Sequence, residues 1–265
     1  MPGKSQTDYA LNGLEPALQA LDEQLAEAAK ALRVATRTLR RAQDAARSGN
    51  LRESERVLES ARETSEAYLR AIRAAEESWQ FPAEDYLGSE QYLDELRLAS
   101  EELGLQGTRV LDGRLYCFPN IVHPEPREVA VRVGRRKHTG VRPSHVAGLL
   151  KAAQAKPRQS NLAPLLEAIE QAYLYVTKGE LGHPVALRDI HAALTLRPGS
   201  GRDYTLDDLV MDVYRLDDSG PHISRAQHQF DLPASTSTRG GRGIRFATKQ
   251  GEEKLYSTIR FRTAT

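Results

Sequence analysis

YTLDDLVMDVYRLDDSG, residues 204–220, reads as one helix with an unusual coat. Thr205 stands where an N-cap is needed, and Asp208 three residues on makes an acidic variant of the capping box. Leu206, Leu209, Val210, Val213, Tyr214 and Leu216 fall on one side at helical spacing. The remaining surface carries Asp207, Asp208, Asp212, Asp217 and Asp218 against a single Arg215. What those carboxylates face decides how this half of the chain is built.

The charge of the rest of the chain sharpens the question. The net is +1 over 265 residues, but residues 1–107 hold 13 Lys/Arg and 20 Asp/Glu, while residues 108–265 hold 24 and 16. An acidic front and a basic back call for different partners. The basic charge gathers in two places. Residues 108–142 hold 8 basic and 3 acidic groups, among them Arg132, Arg135, Arg136, Lys137 and Arg142. Residues 220–265 repeat that ratio, with Arg239, Arg242 and Arg245 in an Arg/Gly/Ser/Thr-rich stretch and Arg260 and Arg262 on one face of a strand. These ten residues are the candidates for phosphate-backbone contact.

The first 82 residues read as an antiparallel helical hairpin. Leu14, Leu18, Leu21, Leu25, Ala28, Leu32, Ala35, Leu39, Ala42 and Ala46 recur in alternating steps of four and three. Ser48-Gly49-Asn50 stops the helix and turns the chain. Leu58, Ala61, Ser65, Tyr68, Ile72, Ala75 and Trp79 form the answering series, closed by Pro82. The spacing predicts a coiled-coil seam formed by these two series.

Residues 83–160 read as a helix capped by Ser89, a β element turning at Asp112-Gly113, an alternating strand EVAVRVGRRK, and a helix opened by Pro143. Residues 161–265 read as three helices followed by strands. That element order resembles a winged-helix domain with an enlarged β wing. The resemblance rests on order alone and implies that 204–220 is the third helix, the one that usually enters the major groove. Carboxylates near phosphates are repelled, so groove reading is not expected of it. Asp207, Asp208 and Asp212 are instead assigned to a protein partner. The overall expectation is a mostly α protein with small β elements, an α+β chain in three parts, 1–82, 83–160 and 161–265.

Nothing in the sequence carries catalysis. GxGxxG, GxxxxGK[ST], HExxH, CxxC and GxSxG are absent. Asp112 and Glu128 could flank a nuclease-like centre, but Ala130 stands where its lysine is needed. The single Cys117, in LYCF, reads as core. No enzyme activity, cofactor or metal is expected. With no signal-peptide core and no apolar span, a cytoplasmic location is expected, and 29 arginines to 8 lysines suggest a bacterial origin.

The function expected is that of a non-enzymatic adaptor in a DNA-associated assembly. Protein partners, an ATPase or nuclease subunit among the options, would bind the hairpin and the acidic helix. The basic patches would touch nucleic-acid backbone without sequence preference. Alternatives are a sequence-specific regulator that dimerises through the hairpin, making a homo-oligomer, and a purely structural interaction module.

Overall fold

A computed structural model describes residues 13–155, 162–196, 204–233 and 243–264. It has helices and strands mixed in an α+β arrangement and divides into two compact units, Met1–Tyr86 and Leu87–Thr265. Residues 87–160 and 161–265, which read as parts of two separate domains, belong to the same unit, and 83–86 fall with the first. Among the described residues no helix is long and apolar enough to cross a membrane.

The first unit is the hairpin. Helix α1 (Leu14–Ser48) ends on Gly49, whose φ of 69° lets its amide bond back to Ala45 and Ala46. Asn50 then caps α2 (Leu51–Ser78) by accepting from the Glu53 amide at 3.2 Å. The seam differs from the one expected. On α1 the covered positions run Leu14, Ala17, Leu21, Gln24, Ala28, Ala31, Ala35, Thr38, Ala42 and Ala45; on α2 they run Ser54, Val57, Ala61, Thr64, Tyr68, Ala71, Ala75 and Ser78, and Leu18, Ser65 and Ile72 of the expected seam are partly covered beside them. One column is shared with the sequence reading, and the other is displaced by one residue on both helices. Leu25, Leu32, Leu39 and Leu58 are 45–59% exposed.

The physical reason is that small residues let two backbones approach closely, and a leucine seam would hold them apart. Hydrogen bonds cross the seam as well, between the Thr38 and Thr64 hydroxyls at 2.8 Å and from Ser78 Oγ to Gln24 Oε1 at 2.5 Å. Trp79 and Phe81 stack beyond the end of α2, their rings 6.0 Å apart.

In the second unit Ser89 caps α4 (Glu90–Glu102), which follows the short α3 (Ala83–Leu87). A five-stranded antiparallel meander comes next: β1 (Arg109–Leu111), β2 (Arg114–Cys117), β3 (Asn120–Glu125), β4 (Ala130–Val133) and β5 (Arg136–His138). Asp112 and Gly113, both at positive φ, make the β1–β2 turn the sequence signals. Val129 was read as part of the fourth strand. It instead sits at φ 44°, 42% exposed, after a short helical turn at Pro126–Glu128, so the strand begins at Ala130, and EVAVRVGRRK breaks after Val133 into the paired strands β4 and β5. Helix α5 (Pro143–Ala155) packs on α4.

The C-terminal half adds α6 (Ala163–Thr177), β6 (Val185–Ala186), α7 (Leu187–Leu194), α8 (Leu206–Ser219), β7 (His228–Asp231), β8 (Ile244–Ala247), β9 (Glu253–Tyr256) and β10 (Thr258–Thr263). KLYSTIRFR, read as one strand, breaks at Ser257: β9 pairs with β8, and β10 turns away to lie between β6 and β7. One core joins both halves of this unit. Tyr116 and Ile121 of the meander are buried with Leu166, Tyr173, Ile190, Leu209, Phe246 and Phe261. That shared core is why no boundary falls at 160.

The small-residue seam is testable through Trp79, the only tryptophan. Ala35→Leu should destabilise the hairpin by about 1–3 kcal/mol through overpacking. Arg37→Leu, at an exposed position off the seam, should change it by no more than about 0.5 kcal/mol. Urea unfolding followed by tryptophan fluorescence distinguishes the two.

Candidate functional site

The acidic face of α8 lies against the basic meander of its own chain. Asp207, Asp208 and Asp212 are only 7–8% exposed. Asp207 meets Arg114 of β2 at 2.5 Å and receives the Tyr116 hydroxyl at 3.5 Å. Asp208 meets Arg132 of β4 at 3.3 Å. Asp212 meets Arg135, just before β5, at 3.1 Å; it also accepts from Arg215 one turn on, at 2.9 Å, and from the Tyr204 hydroxyl at 3.3 Å. Arg135 lies over the Tyr204 ring, 4.9 Å from its centroid.

The local sequence explains why these groups can be held in place. Thr205 caps α8 with a complete capping box: its backbone amide and hydroxyl both donate to Asp208 Oδ2, at 2.8 and 2.7 Å, and it accepts from the Asp208 amide. Asp208 is therefore held by its own helix terminus as well as by the sheet. Asp207 and Asp208 also sit in the first turn, where the helix dipole favours carboxylates. Opposite them, Arg132 donates to the Gly134 carbonyl at 2.7 Å and approaches Glu125 at 3.6 Å. Its side chain is 10% exposed, and its Nη1 and Nε face acceptors of the same chain.

Burial changes the titration of this layer. The Asp207 carboxyl is pushed above its ordinary value, chiefly by burial and partly by Asp208, with Arg114 opposing. His123 stands opposite Arg132 across β3 and β4, with its Nε2 buried and unpartnered among the described residues. Burial first, and then the adjacent Arg132 charge, lower its pKa to about 4.

The expectation of a solvent-facing carboxylate row is thereby corrected. Asp207, Asp208 and Asp212 bind the chain's own arginines, because a buried carboxylate needs a charged partner close at hand. The basic candidates are largely committed as well. Besides Arg132 and Arg135, Lys137 pairs with Glu128 and with Glu125 at 3.6 Å. Arg245 pairs with Asp112, and with Glu253 at 3.7 Å. Arg260 grips Asp231 through two bonds of 2.9 and 2.8 Å, and Arg262 reaches the same carboxylate at 3.6 Å. Arg136 is exposed on β5, and Arg142 is half-buried just before α5. Arg239 and Arg242 lie outside the described residues. Two participants were missed by the sequence reading. Arg114 sits next to the Asp-Gly turn and was counted only in the total charge. Glu170, fully buried and held by His228 Nδ1 at 2.5 Å, was legible as a charge on the apolar face of α6 between Leu166 and Tyr173.

Between α8 and the meander opens a cavity of about 470 Å³, lined by Ile121, Leu165, Met211, Arg135, Arg215 and Asp212 among others. Its two arginines both hold Asp212. No cluster of three or more His, Cys, Asp or Glu that could hold a metal occurs among the described residues. Chemically the layer is an internal clamp, with its charges facing one another.

Removing one half of a buried pair leaves the other uncompensated, which costs about 3–5 kcal/mol. Arg132→Met should therefore lower unfolding stability by about 3 kcal/mol or more in urea titration, and adding Asp208→Asn should recover part of it. His123 gives a pH test. The fold disfavours the imidazolium, so the unfolded chain takes up the proton first as pH falls. Stability present above about pH 6.5 should fall toward pH 4, and His123→Phe should flatten that decline.

No protein-family model matches this chain, and no match was found among curated proteins or among solved structures.

Proposed function

We propose that this protein is a non-enzymatic adaptor whose helical hairpin docks another folded helix pair. The observation that carries this reading is the row of half-exposed leucines, Leu25, Leu32, Leu39 and Leu58, that the hairpin's own seam leaves uncovered. Exposed apolar side chains scattered singly are ordinary; Leu25, Leu32 and Leu39 repeat every seven residues along one column of α1, with Leu58 of α2 beside them, and that is the pattern of a helix interface.

The C-terminal half is proposed to be a winged-helix module used for internal packing. Support comes from the element order α6, β6, α7, α8, β7, β10 and from the three-stranded order β6-β10-β7. The β8–β9 hairpin would then be the wing. The third helix of such a module reads DNA when its polar face is open. Here that face is covered by the meander, which argues against a sequence-specific regulator. Backbone contact with nucleic acid retains one specific support: Arg136 and Lys137, adjacent and exposed on the edge strand β5, next to the exposed Arg135. In this reading the protein sits in a DNA-associated assembly, held mainly by protein contacts.

Two measurements test it. Immobilised full-length protein should retain a defined protein partner that Leu25→Gln/Leu32→Gln/Leu39→Gln loses while its helical circular dichroism stays the same; identical retention by both would refute the docking role. Fluorescence anisotropy with two unrelated duplexes should show equal, weak binding that falls steeply with salt and weakens further in Arg136→Glu/Lys137→Glu. Absence of binding at low salt would remove the nucleic-acid component.

A further inference from the structure

The register of the hairpin shows how its uncovered residues are arranged. Thr38 lies opposite Thr64, and Gln24 opposite Ser78. In heptad terms the best-covered residues are a and d on both helices, and the flanking apolar residues are all e: Leu25, Leu32, Leu39, Leu51, Leu58 and Trp79 are exposed, while Leu18 and Ile72 are partly covered. In an antiparallel pair the two e columns lie on the same side. The Arg41–Glu53 contact at 3.8 Å, between two g positions, marks the opposite side. Apolar side chains from the two helices therefore alternate up one face of the rod, Trp79, Leu25, Ile72, Leu32, and after Ser65, Leu39 and Leu58, at steps of roughly 3 and 7.5 Å in turn. An a/d/e pattern is what a helix shows inside a four-helix bundle, where it touches two neighbours instead of one.

We propose that this face is covered by the same face of a second copy, two hairpins closing into an antiparallel four-helix bundle. The proposal rests on the reading of the hairpin as a docking arm and names its occupant. Three features favour self-pairing. The face is large enough: α2 has 28 residues, so the paired rod is roughly 40 Å long, and two helices about 10 Å wide present about 800 Å², matching the roughly 800 Å² per partner of a stable interface. It is two-fold compatible, because a rotation about an axis parallel to the rod lays α1 of one copy on α2 of the other, again antiparallel. Its edges are complementary in charge. The outer edge of α1 carries Arg33, Arg40 and Arg47, and no acid lies among its b and f positions from Ala29 to Arg47. At the same height the outer edge of α2 carries Glu55, Glu59 and Glu66, together with Arg62, which is level with Arg40 and bonded to Glu59 and Glu66, and Arg73 at the far end. The rotation sets the first edge beside the second, twice. The same rotation places Leu69, a b position that is 49% exposed, opposite the small Ala29 and Thr36. Laying α1 on α1 would instead bring arginine against arginine.

Sedimentation equilibrium of the full chain tests this, with light scattering as a check. The wild type should be a dimer at micromolar concentration. Leu25→Gln/Leu32→Gln/Leu39→Gln should weaken it at least about a hundredfold, with helical content unchanged. Charge reversal tests the orientation. The Arg33→Glu/Arg40→Glu/Arg47→Glu chain and the Glu55→Arg/Glu59→Arg/Glu66→Arg chain should each self-associate about tenfold more weakly than wild type. Mixed together, they should pair with near wild-type affinity. A wild type that stays monomeric overturns self-pairing, and the docking reading survives only if the leucine variant loses a different protein. A dimer indifferent to the leucine changes overturns both readings. Edge variants that each dimerise as the wild type does overturn the orientation and the charge argument behind it.

Discussion

Asp207, Asp208 and Asp212 on α8 stand against Arg114, Arg132 and Arg135 of the meander, and the second unit is organised around that contact. Each carboxylate taken alone would oppose burial, because its desolvation costs several kcal/mol. Together with the facing guanidiniums they become tolerable, and the hydroxyls of Tyr116, Thr205 and Tyr204 occupy remaining acceptor sites. The pairing need not add much stability over an apolar layer. It does restrict which strand can meet which turn of the helix, since a slip by one residue would turn the arginines to the other face of the sheet.

That constraint reaches the core. Tyr116 and Ile121, on the same meander, are buried with Leu209, Val213 and Phe246, so the ion pairs and the apolar core fix a single placement of the sheet on the helix. His123 lies in the same layer, beside Arg132, and is held neutral there by burial and by the neighbouring positive charge. The charge asymmetry of the chain is largely resolved inside the second unit, where acid and base lie within reach of each other. This weakens the case for a strongly phosphate-seeking surface, since Arg132, Arg135, Lys137, Arg245, Arg260 and Arg262 are all paired in the chain.

Local features were legible in the sequence and non-local ones were not. The Thr205 capping box, the Asp112-Gly113 turn, the Gly49-Asn50 turn and the Ser89 cap depend on residues within a few positions, and the structure has all four. The acidic helix was legible as acidic, but its partners lie 76 to 93 residues earlier, and no periodicity encodes that pairing. KLYSTIRFR alternates without interruption, so its break at Ser257 had no local signal. The hairpin was misread for a different reason. Steps of four and three describe an a/e series as well as an a/d series, so the pattern identifies the apolar face without saying which half of it meets the adjacent helix. Only residue size separates the two: the column with Ala17, Gln24, Ala31, Thr38 and Ala45 is the compact one.

Residue size also bears on why the leucines are there. A hairpin meant to stand alone would place its largest apolar side chains in the seam, where they would bury most area. This one places mainly alanine, serine and threonine in the seam, with Leu14, Leu21, Val57 and Tyr68 as the larger exceptions, and leaves leucine at 25, 32 and 39 half-exposed beside it. A half-exposed leucine forgoes a large part of the roughly 1.5–3 kcal/mol that full burial would supply. Repeating that loss at each heptad of α1, and again at Leu51 and Leu58 of α2, makes the hairpin weaker by itself and stickier toward another surface. The close seam and the open leucine column are thus two parts of one arrangement. The first sets the two helices near enough to act as a single face, and the second gives that face something to bury.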